Sequence, residues 1–96
     1  MIDEFKTINE YVIVFSTSKN IFSFKQCGSF RSKAIEEMIK DFDNCIKYIE
    51  ESGEVITKRV MDSKTSNPSA TICTENNTYF WHIIDIIIDV PLNDCE

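Results

Sequence analysis

The chain has 96 residues, 43% hydrophobic and 27% charged, with 10 Lys and Arg against 16 Asp and Glu for a formal charge of -6. That length holds one domain with little room for a second core, and the composition lies outside the disordered range. With a pI near 4.7 the chain is a poor match for direct nucleic-acid binding, whose affinity comes from Lys and Arg. No apolar run approaches the roughly 18 residues that cross a bilayer, so no membrane partner is expected.

Met1-Ile2-Asp3-Glu4 places acids where a secretory leader carries bases, so the expected location is cytoplasmic. The first ten residues read as a short helix or a first strand, and Phe5 and Ile8 indicate that the segment packs against something. Residues 11–15, Tyr-Val-Ile-Val-Phe, are β-branched and aromatic and predict a strand. A polar turn over 16–20 then leads to a second strand over 21–26. There Phe22 and Phe24 share one face while Ser23 and Lys25 share the other.

A helix of about twenty residues follows, started by Ser32 as N-cap. Ile35, Met38, Ile39, Phe42, Cys45, Ile46 and Ile49 recur at the spacing of one buried stripe. Glu36 with Lys40 and Asp43 with Lys47 stand in the favourable i, i+4 order on the opposite face. Ser52-Gly53 ends the helix, Gly53 being free to turn left-handed.

A third strand is expected over 54–61, its charges suiting an edge, then a polar loop over 62–69 and a fourth strand over 70–74. After a turn at 75–77, the run 78–90 is ended by Pro91. Its β-branched and aromatic content favours one long central strand over a helix. As a strand it sets Phe80, His82, Ile84, Ile86, Ile88 and Val90 on one face, and Tyr79, Trp81, Ile83, Asp85, Ile87 and Asp89 on the other. The expected fold is therefore α+β over a single domain, 1–96. An antiparallel sheet of about five strands, in β-β-α-β-β-β order, carries the long amphipathic helix on one face.

Chemistry-bearing motifs are few. His82 with Asp85 and Asp89 would line up only on a helix; on a strand the imidazole and the carboxylates part to opposite faces. Asp85 and Asp89 alone hint at a metal pair but lack a further ligand, so no metal site is expected. Cys27, Cys45, Cys73 and Cys95 contain no C-x-x-C pair, which reads as ordinary reduced thiols rather than zinc ligands. Cys27 lies a few residues before the helix, where a helix N-terminus would acidify a thiol, yet the ordinary thiol is favoured. With two Gly in the chain there is no phosphate-cradling loop, and neither cofactor nor enzymatic activity is expected. Fifteen Ile against a single Leu is not something core packing demands, and it points to an AT-rich coding sequence.

Charge is more informative by location. Residues 70–96 hold no Lys or Arg and five acids, Glu75, Asp85, Asp89, Asp94 and Glu96. Tyr79 and Trp81 precede the first strand acids on the face expected to point outward. Aromatic anchors beside acids are what an interface to a basic protein uses, rings for buried area and acids for steering. Tyr79, Trp81, Asp85, Asp89, Asp94 and Glu96 are thus the candidate partner-binding residues. The function expected is that of a small acidic inhibitor neutralising a basic toxin or nucleic-acid enzyme, in the manner of immunity proteins, antitoxins or phage inhibitors. The alternative is a homo-oligomeric structural or assembly module without catalytic activity, a homodimer being its simplest form, in which the apolar outer face of 78–90 pairs with its own copy.

Overall fold

Six elements follow one another in the expected order: β1 (Phe5–Thr17), β2 (Phe22–Gln26), α1 (Arg31–Glu51), β3 (Ile56–Asp62), β4 (Ser69–Thr74) and β5 (Thr78–Pro91). The computed structural model describes residues 5–91, with side chains over 6–89. All neighbouring strands run antiparallel in one sheet of order β2-β1-β5-β4-β3, and α1 packs across β1, β5, β4 and β3. The fold is thus the expected α+β pair of layers.

The N-terminal segment resolves as strand, because β1 starts at Phe5 and runs unbroken through the Tyr-Val-Ile-Val-Phe stretch. It pairs with β5 from Phe5↔Pro91 to Thr17↔Tyr79 without a register shift. That pairing, between the first and last strands, forms the centre of the sheet. β2 covers β1 only from Val12 onward, and β4 covers β5 only as far as His82. Beyond those points β1 and β5 continue, among the described residues, as a two-stranded arm. The arm explains a radius of gyration of 17.1 Å and extents of 62 × 26 × 17 Å, where a compact chain of this length has a radius near 13 Å.

The helix begins one residue before the expected cap. Phe30 takes the N-cap position in extended conformation and its side chain makes no capping bond, so Ser32 already lies within the first turn. The helix start is held instead by the Arg31 guanidinium, which donates to the Thr65 carbonyl in the 63–68 loop. Its C-terminus follows the expectation. Gly53 adopts φ 85°, its amide donates to the Glu50 carbonyl (3.2 Å), and the Glu54 amide reaches the Ile49 carbonyl (3.3 Å). These two bonds make a Schellman motif, which satisfies carbonyls the helix leaves unpaired.

Ala34, Met38, Phe42 and Ile49 of α1 are buried against Ile13, Ala70, Ile72, Trp81 and Ile83 of the sheet. The ion pairs of the polar flank differ from the expected ones. Glu37 gathers three lysines, Lys25 of β2 at 2.9 Å and its own helix neighbours Lys33 (3.6 Å) and Lys40 (3.7 Å). Neither Glu36–Lys40 nor Asp43–Lys47 closes among the described ion pairs. The reason is tertiary: Lys25 points to the helix side of the sheet, and Glu37 and Asp41 are the acids that β2 faces.

Candidate functional site

Strand alternation places Tyr79, Trp81, Ile83, Asp85, Ile87 and Asp89 on one face of β5, as expected, but that face points toward α1. The expectation that Tyr79 and Trp81 look outward is therefore corrected. Trp81 is 2% exposed, with its ring 5.0 Å from Phe15 and in an edge-on contact, 5.7 Å, with Phe42 of the helix. Tyr79 is half-buried beside Phe15, and burial pushes its hydroxyl above the ordinary tyrosine range. The physical cause is the reach of α1, whose apolar stripe covers this face of β5 as far as Ile83.

Past Ile83 the same face changes character. Asp85, Ile87 and Asp89 stand on the arm, all exposed, with Ile87 at 69%. The Thr7 hydroxyl donates to Asp89 Oδ1 at 3.1 Å. Among the described residues neither aspartate has an ion-pair partner. The structure thus separates the candidate residues, the aromatic pair going into the core and the acids onto the arm. Asp94 and Glu96 lie outside the described residues, as does Cys95.

The arm also presents backbone. The Ile83 amide donates to the Pro68 carbonyl at 3.1 Å, the last bond on the β4 side. In an antiparallel strand alternate residues aim their backbone groups the same way. The amides and carbonyls of Asp85, Ile87 and Asp89 therefore face the same edge, and no described strand lies opposite. A cleft of about 450 Å³ opens where β4 ends and this free edge begins, between Tyr11, Arg31, Pro68, Ile83 and Asp85.

His82 lies on the opposite face of β5 from Asp85 and Asp89, beside Phe80 (5.4 Å) and across from Val14. The three do not assemble. Among the described residues no group of three or more His, Cys, Asp and Glu is placed to hold a metal ion, and no helix is long and apolar enough to cross a membrane. Cys27, Cys45 and Cys73 are free and partly buried. Burial pushes the Cys45 thiol up to about 11 and also raises that of Cys27, whose Sγ donates to the Lys25 carbonyl at 3.6 Å.

What the sequence pattern left unassigned is the second face of the sheet. Phe22 and Phe24 are 64% and 70% exposed, and they join Val12, Val14, Ile84 and Ile86 on the side away from the helix. The alternation in β2 is visible in the sequence, and its apolar side is the one left open.

In comparisons with known proteins, the chain matches no family model, no curated protein and no solved structure.

Proposed function

We propose that this protein acts by binding another protein, as a small acidic inhibitor of a basic toxin or nucleic-acid enzyme met in the cytoplasm. The observation that carries this reading is the exposed row Asp85, Ile87 and Asp89, whose backbone groups face the free edge of β5. Its two carboxylates lack a cation among the described ion pairs and flank an exposed Ile87 on one face. An extended basic segment fits that edge by strand addition: its backbone pairs with the open groups, and its Lys or Arg side chains meet Asp85 and Asp89. The acids speed and steer the encounter, while Ile87 supplies dry contact. A second copy does not suit this edge, because antiparallel pairing centred on Ile87 sets Asp85 opposite Asp89 of the other chain.

The test uses the protein and its Asp85→Lys/Asp89→Lys variant side by side as bait in host extract. A basic protein held by the first, released by salt, lost by the second and inhibited when bound supports the reading. Recovery of the same proteins by both overturns it.

A further inference from the structure

We infer that the face of the sheet turned away from α1 is the interface of a two-fold symmetric homodimer, in which the arm of each copy lies across the body of the other. The inference is independent of the inhibitor reading, which uses the other face and the edge of the arm.

This face carries an apolar strip along β2, β1 and β5, with Ser16 and Gln26 among it on the body. On the body it carries Val12, Val14, Phe22, Phe24, His82 and Ile84. Along the arm the unbroken β1–β5 register continues it through Ile8, Ile86 and Ile88. No described element lies over it. In β2 the usual pattern is inverted. Lys25 points under the helix to meet Glu37 at 2.9 Å, while both Phe side chains are turned to the open side. A solvent-facing edge strand gains nothing from two largely exposed phenylalanines, and such strands normally carry charge outward.

Two features at opposite ends of this face each need cover. A two-stranded ribbon is marginal alone in water, and the arm is one with a single apolar face. The body end shows Phe22 and Phe24 with nothing above them. A copy turned by a two-fold axis supplies each end with what the other lacks, the arm's isoleucines seating on the neighbour's phenylalanines twice over, as an isologous interface requires. The area suffices. Phe22, Phe24, Ile84, Ile86 and Val60 leave on the order of 500 Å² of side chain open, and the half-buried Ile8, Phe80, His82 and Ile88 extend the strip toward the roughly 800 Å² per partner of a stable dimer. Charge does not oppose it. On the arm this face carries Lys6 and Glu10, one of each sign, while Asp85 and Asp89 lie on the reverse.

Equilibrium sedimentation in low and molar salt tests the inference. The wild type is expected to be a dimer that persists in molar salt. Phe24→Glu and Ile86→Glu, both at exposed positions, should each raise the dimer dissociation constant by at least about 30-fold, the scale of a hot-spot loss, with an unchanged circular dichroism spectrum. Asp85→Lys, on the reverse face, should leave the dimer intact. A monomeric wild type at high micromolar concentration overturns the inference. So does a dimer indifferent to both Glu substitutions, or one lost on Asp85→Lys alone. If the dimer fails while Asp85→Lys/Asp89→Lys still abolishes capture of a basic protein, only the present inference falls.

Discussion

The two faces of the central sheet are built from the same kinds of residue and meet opposite fates. On one, Ile13, Ile72, Trp81 and Ile83 lie under Met38, Phe42 and Ile49 of α1 and are almost wholly buried. On the other, Val12 and Val14 are buried with no described element lying over them, and Phe22 and Phe24 stand largely open. Apolar alternation therefore marks both faces as wanting cover, while a single helix can cover one. The choice falls on the face with Trp81, where Phe15, Phe42 and the indole interlock. The difference teaches that an apolar strand face records a need for contact, and whether that contact is internal or external is decided by how many layers the chain can supply.

The comparison breaks most visibly at its two extremes. Trp81→Ala removes the ring at the centre of the covered face and should lower the unfolding free energy by about 3–5 kcal/mol, as large-to-small changes at buried aromatics do, read by urea denaturation. Phe24→Ala, at a largely exposed position, should cost the isolated chain no more than about 0.5 kcal/mol. Its effect should grow with protein concentration if the open face is an interface. Equal losses at the two positions, independent of concentration, would erase the distinction between the faces.

Smaller effects sharpen the covered side. Gly53→Ala forces a Cβ onto a residue at φ 85°, with open space around it, so the cost is one of backbone conformation alone. About 1 kcal/mol is expected by thermal unfolding. The smallest effect concerns the ion pairs tying β2 to the helix. The hydrogen bond from Lys25, with the charges of Lys25 and Lys40, holds the Glu37 carboxyl below its ordinary value of 4.5, and the same bond raises the Lys25 ammonium above 10.5. A carboxyl lowered in the folded state stabilises above its unfolded value, and that stability is lost as pH falls through the folded value. Wild type should therefore exceed Glu37→Gln slightly at neutral pH, with the gap closing only on acidification below 4.5. A gap unchanged at low pH would assign the effect to packing.

Much of this is legible in the sequence. The apolar stripe of α1 named Met38, Phe42 and Ile49 as core, and Gly53 as its stop, because a helix's period and its C-terminal turn are properties of a few adjacent residues. The length of β5 and the parting of His82 from Asp85 followed from its β-branched content and a period of two. What misled was the choice of face. Tyr79, Trp81, Asp85 and Asp89 share a side of one strand, and their sequence pattern contains no mark of where the helix above them ends. The acids escape only because they lie beyond Ile83, where the arm leaves the body. Phe22 and Phe24 were seen to share a face, yet an apolar pair on an edge strand reads as core until the helix is found to send Glu37 and Asp41 toward that strand's other side.

The sequence by itself determined the kind and order of the elements, the buried stripe of the helix and the acidic character of the C-terminal strand, because propensity, period and charge are local quantities. Only the tertiary structure decided that the first and last strands pair at the centre of the sheet and run on as an arm. It alone decided that Trp81 is core and that the phenylalanines of β2 are not. Those outcomes depend on contacts between residues far apart in the chain, such as Phe15 with Trp81 and Lys25 with Glu37. A single helix can cover only one face of the sheet, and no short stretch of sequence encodes which one.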